Sequence, residues 1–282
     1  MSGRLKQIST LLTTPGMPIA YGRWCLARMK GHGPYLPAAK NCRVSVRWVS
    51  FTEYFSVRNG IEANERRFLE RCRREPDGGE SVALDIGANI GQFTSQMAAI
   101  GFRCHAFEPT EATFERLGEN VTASGFQNQV KCIRMAVGDH TGDVEFYTET
   151  TSPATNGLSP RPDGPNDGGT VVRVPMTTVD TYVAAQKLER IDVMKVDVEG
   201  FEAAVFRGAT ETLGRRAARA ILFEVCPTLY RRAGESAGSL LGVLRDLGYC
   251  AYRLADDGGC GEELGADALD QIRLANVVAV PR

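Results

Sequence analysis

Residues Val82–Thr94 read VALDIGANIGQFT, and this stretch decides the fold. Val82–Ile86 is apolar except for Asp85, the composition of a strand buried on both faces. Gly87-Ala88-Asn89-Ile90-Gly91 follows, and then Phe93, Met97 and Ile100 fall at helical spacing within Gln92–Ile100, a helix that Gly101 ends. A glycine loop between a strand and a helix is the context that a nucleotide-binding loop requires. Gly87 lets the chain turn tightly, and Gly91 lets helix and strand approach closely. Asn89 stands where many such loops carry another glycine; asparagine tolerates left-handed backbone better than other side chains.

The regular pattern continues outward. Cys104–Phe107 reads as a strand, Thr110 as the cap of a helix through about Ser124, and Val130–Ala136 as the next strand. This β-α-β-α-β order predicts a parallel sheet with right-handed crossovers, hence an α/β fold. Val144–Tyr147 and Val171–Pro175 read as a hairpin around a Pro/Gly/Asn-rich stretch, Thr150–Thr170, which is either a disordered tip or a mobile lid. Beyond it come a short helix at Val179–Gln186, a strand at Ile191–Val196, a helix at Phe201–Leu213 and a strand at Ala220–Val225. Leu240, Leu241, Leu244 and Leu247 stripe another helix, and Tyr249–Leu254 and Asn276–Val280 complete the sheet.

Upstream the pattern is broken. Pro and Gly interrupt residues 1–50, Val44–Phe55 includes a candidate strand, and Ile61–Arg74 has helical character. Pro76-Asp77-Gly78-Gly79 marks the entry to the main domain. The division is therefore an N-terminal extension or cap over 1–78, helical or serving as a homo-oligomerisation arm, and a domain over 79–282 with an insertion near 144–175.

Composition excludes several classes. The chain of 282 residues has 33 Lys+Arg against 34 Asp+Glu, which argues against a general nucleic-acid binder. The eight cysteines form no C-x-x-C pair, and several sit in strand-like runs where free cysteine acts as a small hydrophobe; this predicts a reducing, cytoplasmic setting. The start of the chain makes a poor signal peptide, and no run reaches the ~20 apolar residues of a membrane span.

Asp85 discriminates between cofactors. A carboxylate at the strand end repels the pyrophosphate of a dinucleotide but suits an α-amino group. Glu108 lies 23 positions later (108 − 85), at the end of the next strand, where a carboxylate accepts from a ribose diol. Downstream, Lys195-Val196-Asp197-Val198-Glu199-Gly200 sits at a strand's carboxyl end, where open α/β sheets place ligands. Alternation puts Lys195 and Asp197 on one face. His105 reads as a core residue; His140, in a loop, is a second candidate base.

With LDIGANIGQFT, HAFEP at His105–Pro109, the MAVGD segment at Met135–Asp139 and MKVDVEGFE at Met194–Glu202 in view, the chain resembles the FkbM-type methyltransferases over roughly Ser81–Val225. That resemblance implies a Rossmann-like, seven-stranded, mostly parallel sheet with an antiparallel last strand. It implies S-adenosylmethionine as cofactor and a hydroxyl acceptor on a sugar, glycan, lipid-linked saccharide or polyketide. The expected cofactor set is Asp85, Gly87, Ala88, Asn89, Gly91, Glu108 and Pro109, with Ala136 and Val137 beside the adenine. Asp197 or Glu199 is the expected general base, with Lys195 paired to Asp197. Mg²⁺ held by Asp197 is an alternative, although the second acidic pair it would want is missing, since Phe223-Glu224-Val225 supplies only Glu224. Competing readings are an NAD(P)-dependent oxidoreductase, which lacks a Tyr-x-x-x-Lys pair because Tyr182 precedes Gln186, and a non-catalytic cofactor-binding scaffold.

Overall fold

A computed structural model describes residues 35–39, 42–45, 61–73, 79–148 and 170–282. The glycine-loop stretch begins as strand β3 (Ser81–Ile86), after β1 (Tyr35–Ala39), β2 (Cys42–Ser45) and helix α1 (Ala63–Cys72). Helix α2 (Gln92–Ile100) leads to β4 (Phe102–Phe107), and α3 (Glu111–Ala123) leads to β5 (Val130–Ile133). Both connections are parallel crossovers, with Leu84 opposite His105 and Ala106 opposite Cys132.

The chain then builds a small sheet from β6 (Ala136–Val137), β7 (Gly142–Thr148) and β8 (Thr170–Thr177). It returns through α4 (Val179–Gln186) to β9 (Val193–Val196), α5 (Glu202–Arg207), α6 (Thr210–Gly214) and β10 (Ile221–Val225). Helices α7 (Pro227–Arg232) and α8 (Ala237–Asp246), strands β11 (Tyr249–Leu254) and β12 (Cys260–Glu263), α9 (Ala266–Asp270) and β13 (Ala275–Pro281) follow.

The main sheet runs β12-β11-β13-β10-β9-β3-β4-β5. β13 is antiparallel to both β10 and β11, so the late antiparallel strand is present. The expectation of seven strands is corrected to eight, because β12 adds an outer edge. All of its residues are exposed, so Cys-Gly-Glu-Glu carries no inward-outward alternation to read. β3 is hydrogen-bonded to β9 on one side and β4 on the other, and the chain order diverges from that point. The topological switch point, with its crevice outside the carboxyl strand ends, therefore lies between β3 and β9.

Neighbouring residues of β10 face opposite layers. Leu222 packs in the cluster that holds Phe68, Leu69, Met97 and Leu117 from α1, α2 and α3. Phe223 packs with Tyr182, Val205, Phe206, Leu240 and Leu244 from α4, α5 and α8. Helix α1 thus shares the core of the main domain although it belongs to the 1–78 segment.

Other expectations shift with physical cause. Within the segment expected as a helical cap or an oligomerisation arm, residues 35–39 pair antiparallel with 42–45; Pro37, which lacks an amide donor, suits a strand edge better than a helix interior. Of the strand expected over Val44–Phe55, Val44-Ser45 belong to β2 and the remainder lies outside the described residues. The expected strand Val130–Ala136 ends at Ile133; Ala136 and Val137 leave the main sheet and pair with Met176 and Thr177 of β8. The expected hairpin is present, with Val144 opposite Val174, while the lid stretch between its strands lies outside the described residues. The single helix expected over Phe201–Leu213 breaks at Gly208-Ala209. A Cβ on Gly208 would stand 2.0 Å from the Gly138 carbonyl oxygen, and the Asp180 carboxylate caps the new helix start at the Glu211 and Thr212 amides.

Candidate active site

Two loops meet back to back at the switch point. In the first, Gly87 has φ +81° and a Cβ there would lie 1.8 Å from the Asp197 carbonyl oxygen. Asn89 follows at φ 50°, a left-handed turn that a larger side chain resists. Its side-chain oxygen accepts from the Ile90 amide at 2.8 Å. Gly91, at φ +86°, caps α2, and a Cβ there would meet Leu117 of α3 at 2.6 Å. The Gly87 and Ala88 amides both donate to the Phe107 carbonyl at 3.1 and 2.8 Å, which ties the loop to the end of β4. In the second loop, Glu199 is left-handed at φ 55°, and a Cβ on Gly200 would press on the Leu229 carbonyl of α7.

Charges converge on this junction. Asp85 is fully buried and accepts from the Thr94 hydroxyl at 2.5 Å. Its other oxygen, Oδ1, has no hydrogen-bond partner and lies 3.7 Å from Lys195 Nζ. Lys195 also donates to Asp197 Oδ2 at 3.1 Å and to the Gly87 carbonyl at 3.3 Å, and it stands 5.0 Å above the Phe93 ring. Burial works against the ammonium, but Asp197 and Asp85 more than offset it and raise its pKa. Burial raises the Asp85 pKa, opposed by Lys195 and Thr94. The register of β3 with β9 explains the trio: Asp85 is directly opposite Lys195, and Asp197 lies two residues on, on the same face.

Glu108 is buried at the end of β4. Its Oε1 accepts from the Thr110 amide at 3.0 Å and hydroxyl at 2.5 Å. Burial raises its pKa, opposed first by Thr110 and then by the Asn89 amide, so the carboxylate also braces the glycine loop. Thr110 does cap α3 by position, but its hydroxyl serves Glu108 rather than the helix. Pro109 links the two and is half-buried.

Ala136 and Val137 are placed differently from their expected site at the end of the third main-sheet strand. Ala136 packs with Phe146, Val174 and Met176 under the small sheet, and Val137 joins the main core. The backbone departs after Ile133, so the strand that would present them ends first. His105 is a core residue as expected: its Nδ1 is 2.7 Å from the Tyr182 hydroxyl, and burial lowers its pKa to about 4. His140 is exposed and paired with Asp139 at 2.8 Å.

Two acids join this site that motif reading left without a role. Glu202 is buried; its Oε1 accepts from the Val198 amide at 3.0 Å and the Gly200 amide at 3.4 Å, while Oε2 has no partner. Burial raises its pKa to about 7. Glu224, half-buried at the end of β10, is pushed up to about 9 by burial and by Asp197, Glu199 and Glu202. In the sequence, Glu202 is visible as the last residue of MKVDVEGFE, whereas nothing local ties Glu224 to it. Among the described residues, no group of three or more His, Cys, Asp or Glu side chains is arranged to hold a metal ion.

The family model described as the methyltransferase FkbM domain matches residues 85–250, more than half of the chain. The chain belongs to the FkbM methyltransferase family. It is 30% identical over 134 residues to the hexuronic acid methyltransferase AglP of Haloferax volcanii, covering 48% of this chain and 52% of that protein. The chain thus spans about half the length of this curated relative. Among solved structures, an FkbM methyltransferase from Methylobacillus flagellatus is similar at 14% identity and TM-score 0.44, covering 71% of this chain and 43% of that one. A SAM-dependent methyltransferase from Agrobacterium tumefaciens is similar at 11% identity and TM-score 0.46, covering 89% and 70%. The FkbM match begins at Asp85, the buried acid of the glycine loop, and takes in Lys195, Asp197, Glu202 and Glu224.

Proposed function

We propose that this chain is an S-adenosylmethionine-dependent O-methyltransferase acting on a hydroxyl of a sugar, glycan, lipid-linked saccharide or polyketide-type molecule. The observation that carries this reading is the junction of the glycine loop with an acid-lined strand end, with Gly87 pressed on the Asp197 carbonyl.

The residues fit such a cofactor. Glycine at 87 and 91 lets the loop pack directly on the Asp197 carbonyl and on Leu117, where a side chain would collide. Glu108 sits at the strand end where a ribose diol is held, and Asp85 keeps an unpartnered buried oxygen at the loop. The acids Asp85, Asp197 and Glu224 around the Lys195 ammonium, with Glu199 beside Glu224, suit a cationic ligand and oppose the pyrophosphate of a dinucleotide. Asp85, Gly87, Ala88, Asn89, Gly91, Glu108 and Pro109 would hold it. Ala136, under the small sheet, and Val137, in the main core, would support its adenine end. When bound, the cofactor supplies an electrophilic methyl group.

The chain's own residues supply the rest. Lys195 fixes Asp85 and Asp197 in one frame, so the strand end is preorganised before a ligand arrives. Asp197, Glu199 and Glu224 form the acid end, where the acceptor hydroxyl must be aligned and deprotonated. The hexuronic acid specificity in the name of the relative favours a saccharide acceptor. No helix among the described residues is long and apolar enough to cross a membrane. Cys72, Cys104, Cys132, Cys226, Cys250 and Cys260 are free thiols, in keeping with work in the cytoplasm. Transfer of label from methyl-labelled S-adenosylmethionine to a panel of uronic acids, neutral glycosides and polyketide alcohols tests the proposal. Label on one class of alcohol supports it; cofactor binding with no transfer to any alcohol points instead to a scaffold.

A further inference from the structure

The carboxylates at the reacting end outnumber the cation that serves them. Lys195 is shared between Asp197 at 3.1 Å and Asp85 at 3.7 Å. Glu224 sits beside this pair and outside it. The register sets Leu222 of β10 opposite Lys195 of β9, so Glu224, two residues on, projects to the same face as Lys195 and Asp197. Its own backbone is held: the Tyr230 hydroxyl donates to the Glu224 carbonyl at 2.8 Å, and Asn276 of β13 stands directly opposite. The Asn276 side chain is in turn hydrogen-bonded to Glu65 of α1. The backbone of Glu224 is therefore fixed at the strand end, and its half-buried carboxyl lies on the face of Lys195 and Asp197.

We propose that Glu224 is the group that takes the proton of the acceptor hydroxyl, and that it gives up its own proton when the cationic cofactor binds. The inference rests on the methyltransferase reading above. The Asp197 carboxylate is already committed to Lys195.

Lys195 opposes the acids that act on Glu224. Asp197 and Glu199 lie on the loop after β9 and Glu202 on α5, while Cys226 and Tyr230 at α7 and Asn276 of β13 are uncharged neighbours, with Glu65 of α1 bonded to Asn276. Burial and the like charges of Asp197, Glu199 and Glu202 push its pKa up to about 9, so the free protein holds this carboxyl protonated near neutrality. Glu202, buried in the same cluster, adds a second carboxyl whose Oε2 has no hydrogen-bond partner. A sulfonium brought into the crevice supplies a positive charge and releases the Glu224 proton. In the transfer step the acceptor oxygen bonds to the methyl carbon and the carbon–sulfur bond breaks with its electron pair left on sulfur. The hydroxyl proton passes to Glu224, and the neutral thioether and methyl ether leave.

Calorimetric titration of the full chain with S-adenosylmethionine at pH 7.5, in phosphate, HEPES and Tris, reads proton release as the slope of observed heat against buffer ionisation heat. The slope should correspond to about one proton released per cofactor bound. With S-adenosylhomocysteine, which lacks the sulfonium charge, the slope should fall well below that. Glu224→Gln should bind S-adenosylmethionine with a slope near zero. On the acceptor identified by the label panel, it should turn over at least ~100-fold more slowly, and without the anion that faces the sulfonium it should bind S-adenosylmethionine at least ~10-fold more weakly. Equal slopes for the two ligands, or an unchanged slope in Glu224→Gln, would overturn the inference while leaving the methyltransferase reading standing. Failure of S-adenosylmethionine to bind wild-type protein would overturn that reading and this inference with it.

Discussion

The halves of the site are held by different forces. On the β3–β4 side, position is enforced by backbone contact. Gly87 touches the Asp197 carbonyl, Gly91 faces Leu117, and the Phe107 carbonyl takes two loop amides. On the β9–β10 side, position is enforced by charge: Lys195 bridges Asp85 and Asp197 while Glu202 and Glu224 carry raised pKa values. Steric enforcement leaves almost no freedom of substitution, whereas charge enforcement leaves the protonation state open to whatever binds. A cofactor cradle benefits from the first property and a proton-transfer site from the second.

The largest expected effect breaks the steric half. Gly87→Ala places a methyl 1.8 Å from a backbone oxygen at a left-handed φ, so loop and strand must separate. We expect a loss of about 4 kcal/mol or more in denaturant unfolding, with cofactor binding abolished. Near-wild-type stability would show that the junction yields easily.

Lys195→Met breaks the charge half by leaving Asp85 buried without its cation. The expected cost is about 3–5 kcal/mol. The folded-state pKa of Asp85, already raised, rises further. A raised carboxyl contributes stability below its unfolded value that is lost as pH climbs through its folded value. The variant's deficit should thus be smallest near pH 4 and grow toward neutrality; a deficit independent of pH would mean that Asp85 does not depend on Lys195.

Next comes Glu224→Gln, where loss of function accompanies a gain of stability. With Glu224 raised to about 9, its stabilising contribution is complete below about pH 4.5 and is lost as pH rises toward 9. The amide escapes that loss, so the variant should be distinctly more stable than wild type at pH 8 and nearly equal to it at pH 4.5. A variant less stable than wild type at pH 8 would contradict the raised pKa.

The smallest effect is expected away from both halves. Tyr182→Phe removes the partner of His105 and should cost about 1 kcal/mol. His105 itself, with burial lowering its pKa to about 4, favours the folded state above pH 6.5, and that contribution should erode as pH falls through 4. Thermal melts from pH 7 to 4 on wild type and a His105→Gln variant should converge at the acid end.

The same contrast explains what could be read from the sequence. Gly87, Asn89 and Gly91 carry their backbone requirements in their identity, so the loop, its strand and its helix were legible locally. The pairing of Lys195 with Asp197 followed from strand alternation alone. Glu224 could not be tied to Asp197 that way, because its place depends on β10 lying next to β9, a tertiary fact. Ala136 and Val137 misled for a related reason. Their strand-like composition suits either sheet, and only the turn after Ile133 decides which one they join. Strand β12 has no apolar alternation at all.

The central claim is that the glycine loop and Glu108 hold S-adenosylmethionine. Equilibrium titration of wild type and Glu108→Ala with S-adenosylmethionine and with NAD tests it most directly. The account predicts saturable binding of S-adenosylmethionine, weakened at least ~10-fold in Glu108→Ala through loss of a charged hydrogen-bond acceptor, and no comparable binding of NAD. Tight NAD binding with none for S-adenosylmethionine, or equal S-adenosylmethionine affinity in both proteins, would contradict it.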